Sequence, residues 1–309
     1  MEGRPMLPEA EWRLFAACRC AVAEGPRWNP AERRLYWVDI PRGRVYRMAR
    51  TGNPEAFELF DPGIGKIGAL TFLGEELLLF GAGCRVWRCR FGGTPELFAE
   101  LPGRGDTRFN DVLADDAGHI YCGVAWNPAA EFPGELWRFS LCQRRFDLLA
   151  EGFRGMPNGM GISPDRRRFY LAVSEELRII CCDFCEEEGR LGEWTQFAEF
   201  AAGQGNPDGM AVEAESGNVL VACWDGGALR TFSPSGVLLK EEHFPIGRIT
   251  SVTEGDGEIF LTTGTSTPEE KEWLGGFPGS IFLRKKDDGE SGWSTLLPLP
   301  NKQNRNHLQ

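Results

Sequence analysis

Histidine is scarce in this chain, with His119, His243 and His307 the only three in 309 residues, and no stretch approaches the roughly 18 apolar residues that a membrane-spanning helix needs. Residues 1–20 show no basic region followed by an apolar core and a small-residue cleavage site, so a cytoplasmic location is expected. Positive charge is not in surplus either. With 45 Asp and Glu against 34 Lys and Arg, the formal charge is -11, which argues against nucleic acid or an anionic membrane as the main partner and suits a cation or a neutral small molecule. Paired cysteine clusters are missing. The ten cysteines lie mostly in strand-like runs, and the one close group, Cys181, Cys182 and Cys185, has no second cluster to complete a zinc site, so reduced and mostly buried thiols are expected. Long helical periodicity with caps is absent, and only residues 268–273 would form a short helical turn.

What the sequence does contain is repetition. Aligned on itself, the chain divides into six units that begin near Gly25-Pro26, Ile67-Gly68, Asn110-Asp111, Asn158-Gly159, Asp208-Gly209 and Thr250-Ser251, spaced by about 42 to 50 residues. A period in the forties is what one four-stranded propeller blade occupies. Within the units, turn formers lead into alternating apolar strands, as in Asn29-Pro30 before Arg34-Leu35-Tyr36-Trp37-Val38, and Ser163-Pro164-Asp165 before Arg168-Phe169-Tyr170-Leu171. A third strand with an aromatic residue often follows, as in Val45-Tyr46-Arg47, Val86-Trp87-Arg88, Leu136-Trp137-Arg138 and Ile281-Phe282-Leu283. The pattern predicts an all-β, six-bladed β-propeller of four-stranded antiparallel blades, forming one domain over residues 1–309 with a polar tail at 301–309. Residues 12–20 are predicted to supply the outer strand of the last blade and so close the ring.

The starts of the innermost strands converge at one mouth of a propeller's channel. Those positions carry Glu24, Asn110, Asn158 and Asp208, while no histidine stands among them. Singly, Asn-Gly and Asp-Gly are common turn dipeptides, and Glu24 could be a solvated loop acid. Jointly, two carboxylates and two amides at equivalent points of separate repeats form an all-oxygen set suited to Ca2+, Mg2+ or Mn2+, with Zn2+ possible. Arg108 stands two residues before Asn110, where strand alternation points both side chains the same way. It could grip a substrate oxygen, or be an ordinary surface arginine.

At these residues the sequence resembles the regucalcin (senescence marker protein) and gluconolactonase family of six-bladed propellers. The likeness rests on Cys18-Arg19-Cys20 through Glu24-Gly25-Pro26-Arg27-Trp28, Val38-Asp39-Ile40-Pro41, Arg108-Phe109-Asn110-Asp111, Pro157-Asn158-Gly159, Ser163-Pro164-Asp165, Pro207-Asp208-Gly209-Met210 and Val221-Ala222-Cys223-Trp224. The resemblance implies that Glu24, Asn158 and Asp208 ligate one divalent cation, that Asn110 contacts substrate or a metal-bound water, and that Arg108 binds substrate. It further implies hydrolysis of a sugar lactone, by a monomer or weak homo-oligomer, with Asp208 as general base. Three departures stand out: Val112 where the family often has glycine, Leu171-Ala172-Val173-Ser174 where an aspartate often follows the tyrosine, and Trp126 where regucalcin-like proteins place an acidic substrate contact. Hydrolysis of phosphotriesters or other esters at the same cation, favoured by Trp126, and a non-catalytic calcium-binding or interaction propeller are the alternatives.

Overall fold

The computed structural model describes residues 12–265 and 275–286. These form six antiparallel sheets. The first blade is built from Ala23–Asn29, Arg34–Asp39, Arg44–Ala49 and Glu58–Phe60, and the second from Ile67–Leu73, Glu76–Gly81, Arg85–Cys89 and Glu96–Glu100. Phe109–Ala114, His119–Val124, Gly134–Ser140 and Arg145–Phe153 make the third; Asn206–Val212, Val219–Trp224, Ala228–Phe232 and Leu238–His243 make the fifth. In the sixth, Arg248–Gly255, Glu258–Gly264 and Ile281–Lys285 are completed by Arg13–Ala16 from the other end of the chain. The predicted ring closure is therefore present, although its strand is shorter than residues 12–20. Past it, Arg19 adopts a positive φ of 50° and Cys20 N–H donates to the Gly279 carbonyl at 2.8 Å, so the chain leaves the sheet there.

The fourth blade departs from the four-strand pattern. Pro157–Ile162, Arg168–Val173 and Arg178–Cys185 are regular, but the outer position is shared by Arg190–Leu191, pairing with Phe184 and Cys185, and Thr195–Glu199, pairing with residues 178–181. The residues expected to form a helical turn at 268–273, and the polar tail, lie outside the described residues. Among the described residues the only helical pieces are 3-10 turns at Pro128–Ala130 and Ser174–Glu176, and no helix is long and apolar enough to cross a membrane.

Each blade's first strand lies innermost, and these six strands touch one another in sequence around the ring, with Ala23–Asn29 meeting Arg248–Gly255 to close it. The core is consequently divided into six wedges, one between each pair of neighbouring blades. Arg34–Asp39 shows why the middle strands read as continuous apolar runs: Leu35 and Trp37 pack toward the sixth blade, whereas Tyr36 and Val38 pack toward the second. A strand covered on both faces has no solvent side to leave polar. At the axis the strands are so close that side chains are excluded at some positions. A Cβ on Gly159 would lie 2.4 Å from the Asp208 carbonyl oxygen, and one on Gly209 would lie 2.0 Å from Ser251 Oγ.

Candidate active site

The four inner strands that carry the candidate oxygens all lose regular pairing at those residues. Register shifts fall between Glu24 and Arg27, Phe109 and Val112, Pro157 and Met160, and Pro207 and Met210. Such an irregularity frees a strand residue from the pleat and re-aims its side chain. Glu24, Asn110, Asn158 and Asp208 all end up buried, between 4% and 8% exposed.

Hydrogen bonds from the preceding blade hold three of these strands. Thr250 Oγ1 donates to the Ala23 carbonyl at 2.6 Å, Asn110 Nδ2 to the Pro157 carbonyl at 3.4 Å, and Ser174 Oγ to the Pro207 carbonyl at 2.8 Å. In each case the acceptor belongs to the residue just before Glu24, Asn158 or Asp208. Asn158 Nδ2 in turn donates to Ser174 Oγ at 3.1 Å. Val112, the departure from the family's glycine, is buried and pairs with Cys122 without a positive φ.

Negative charge accumulates at this mouth. Burial, together with Asp208 and Asp111, pushes the Glu24 carboxyl well above its ordinary range, against the Gly25 N–H, which donates to Glu24 Oε2 at 2.7 Å. Burial and Asp111 likewise push Asp208 up, while hydrogen bonds from Asn158 and the Gly209 N–H pull it down. Arg108 is a cation whose charge acts on Glu24 and Asp208. Its Nη1 donates to Asn110 Oδ1 at 2.7 Å and to the Phe109 carbonyl at 3.0 Å; burial lowers its pKa, and the charges of Glu24 and Asp208 work the other way. The predicted same-side placement of Arg108 and Asn110 is thus direct contact.

Asp111 is the participant that repeat reasoning passed over. It occupies the point where the other inner strands have Gly25, Gly68, Gly159, Gly209 and Ser251, so a carboxylate among glycines was the signal available. It is 8% exposed, accepts from Val112 N–H at 2.8 Å, and pairs with Arg27 Nη2 at 3.4 Å. Arg27 also donates to the Val112 and Pro26 carbonyls and lines a cavity of about 260 Å³ that opens by the hairpin turns at Asp116 and Arg166. On the candidate side, a cavity of about 470 Å³ is lined by Lys66, Ala82, Thr107, Arg108, Trp126 and Met156 among others. Trp126 and Arg108 therefore share one cavity wall, and Arg108, whose charge acts on Glu24, links that cavity to the carboxylates, which do not themselves line it.

The donor set suits a hard cation in its chemistry: two carboxylates raised by burial and by like charge, and an amide oxygen, Asn158 Oδ1, that receives no hydrogen bond from a described residue. Among the described residues no three His, Cys, Asp or Glu side chains form a metal cluster, so a cation here would need the amide and water to complete its shell. The ten cysteines are all unpaired, and all but Cys142 and Cys185 are buried.

The chain is 32% identical to the pentonolactonase XacC of Haloferax volcanii, over 85% of this chain and 90% of that protein. It is 31% identical to the 6-deoxy-6-sulfogluconolactonase of Pseudomonas putida, over 85% of this chain and 91% of the relative. A regucalcin from Agrobacterium tumefaciens, described as a calcium-binding protein, has the same fold, with a TM-score of 0.80 at 18% identity across 93% of this chain and 97% of that one. Residues 22–265 match the family described as "SMP-30/Gluconolactonase/LRE-like region", and the chain belongs to that family.

Proposed function

We propose that the protein hydrolyses a sugar lactone to the open hydroxy acid at the channel mouth formed by Glu24, Arg108, Asn110, Asn158 and Asp208. The observation that carries this reading is the convergence of buried oxygen donors from separate blades around Arg108, which with Trp126 also lines a cavity. The lactonases of H. volcanii and P. putida, matched over most of their length, support the substrate class. Ten unpaired thiols suit the reducing cytoplasm.

Glu24, Asn158 and Asp208 would hold one divalent cation, Ca2+, Zn2+, Mg2+ or Mn2+. When bound, such an ion supplies Lewis-acid polarisation of a carbonyl and a lower pKa for water. The remaining work falls to side chains. Arg108, fixed by Asn110 Oδ1 and the Phe109 carbonyl, offers its other N–H groups to a substrate oxygen. Trp126 presents an aromatic wall on which a sugar ring can pack. Asp208 accepts the proton of the attacking water and returns it to the ring oxygen as the ester bond breaks, so the proton balance closes on one carboxylate.

The test is a matrix of purified protein, four cations and a panel of aldonolactones, read against a metal-free blank. No turnover above the blank with any pair refutes the proposal. Asp208→Asn should retain cation binding, though weakened, and lose at least about 100-fold in kcat; an unchanged kcat removes Asp208 as the base.

A further inference from the structure

Asn158 can present either its oxygen or its NH2 group to the channel, and only the oxygen can ligate a cation. We propose that Ser174 is a positioning residue that, together with the Asp208 carboxylate that also accepts from the Asn158 NH2 group, sets this orientation; the inference rests on the cation reading above. Pro207 offers Ser174 a carbonyl, which only accepts. The single hydroxyl proton of Ser174 goes to that carbonyl at 2.8 Å. What Ser174 Oγ then shows to Asn158 is a lone pair, and only the NH2 end of the amide can meet it, as it does at 3.1 Å. Asn158 Oδ1 is left without a hydrogen bond from any described residue and is free for the channel.

A flipped amide would set two oxygens against each other, or would turn the Ser174 proton away and leave the Pro207 carbonyl without that donor. All three groups are buried, with Ser174 at 6% and Asn158 at 7% exposure, so water is a poor substitute there. The relay also joins two blades. Ser174 belongs to the fourth and Pro207 to the fifth, where the next residue is Asp208. One hydroxyl thereby orients one candidate ligand and anchors the strand of another, as groups behind metal ligands commonly do.

The position is one at which sequence reasoning saw only a departure. Residues 171–174 follow Tyr170 without the aspartate that the family often has. Ser174 begins the 3-10 turn Ser174–Glu176, which ends the second strand and brings the hydroxyl under the mouth.

The experiment titrates metal-free wild type, Ser174→Ala, Ser174→Cys and Ser174→Thr with Ca2+ and Mn2+ by calorimetry, alongside kcat and KM at saturating cation. Ser174→Ala should bind the cation about 10- to 100-fold more weakly; Ser174→Thr, which keeps the hydroxyl, should recover most of the affinity. Ser174→Cys retains the shape with a weak donor and should lose about tenfold, which decides the matter if the alanine variant does not fold. Wild-type binding with undiminished binding in Ser174→Ala or Ser174→Cys overturns the inference alone. Equal losses in the alanine and threonine variants reduce Ser174 to packing and overturn it as well. Absence of binding in the wild type overturns the cation reading and this inference with it.

Discussion

Replacing Arg27 by methionine removes a cation from beneath the candidate site, and the structure specifies what is left behind. Asp111 is buried, its side chain 11% exposed, and Arg27 Nη2 at 3.4 Å is its one ion-pair partner among the described residues, Arg27 itself being 15% exposed. Burial already raises the Asp111 carboxyl above its ordinary range, while Arg27 and the Val112 N–H lower it. Stripping one member from a buried pair typically costs about 3–5 kcal/mol. The adjoining cavity of about 260 Å³ admits water, which puts the expected loss near the lower end, about 3 kcal/mol. Asp111→Asn alone keeps the hydrogen-bonding shape and leaves a cation with two carbonyl partners, so about 1–2 kcal/mol is expected. The double variant has no buried charge to strand and should be more stable than the sum of the single losses predicts, with a coupling of about 1.5 kcal/mol or more. Urea unfolding of the four metal-free proteins gives the cycle. Additive losses within about 0.5 kcal/mol would refute the idea that these two residues form one charge-compensating unit across the channel.

Three further outcomes are expected. Folded-state pKa values raised at Glu24 and Asp208 mean that their stabilising protons are present below the ordinary carboxylate range and are lost as pH climbs through the raised values. Chelator-treated protein should therefore be less stable at pH 8 than at pH 5.5 in urea unfolding, with saturating cation reducing the difference; a stability that rises over this span without cation contradicts the assignment. Gly159→Ala should cost at least about 1–3 kcal/mol, because its Cβ would meet the Asp208 carbonyl oxygen at 2.4 Å and Met210 N at 2.5 Å, whereas Gly105→Ala, with open space around it, should stay within about 0.5 kcal/mol. Burial pushes the thiols of Cys84, Cys182 and Cys223 up to about 12 and that of Cys89 to about 11, so labelling of native protein at pH 8 should be confined to Cys142, the exposed thiol, and Cys185, the half-buried one, with Cys142→Ser removing the faster phase; rapid labelling of further cysteines would show that the wedges between blades open.

Much of this architecture was legible in the chain because a propeller writes its geometry as a period. Recurring strand starts located six blades, and the oxygen-bearing residues at four of those starts, Glu24, Asn110, Asn158 and Asp208, named the candidate site before any contact was known. Local rules also anticipated the closing strand, since an unpaired edge in a ring demands a partner and residues 12–20 were the free apolar segment. The partners of those residues were not legible. Ser174 serves a carbonyl at Pro207, Thr250 serves Ala23, and Arg27 serves Asp111 across 84 positions of sequence, all of them contacts between blades that no within-blade pattern encodes. The split outer edge of the fourth blade depended on how a turn at Glu186–Gly189 met the strand end, and Val112 fits because its backbone there needs no positive φ. What the amino-acid order determined by itself was which residues face the axis; what only the tertiary structure decided was which of them touch, because hydrogen bonds and charge pairs act over a few ångströms while the blades that supply them lie tens of residues apart.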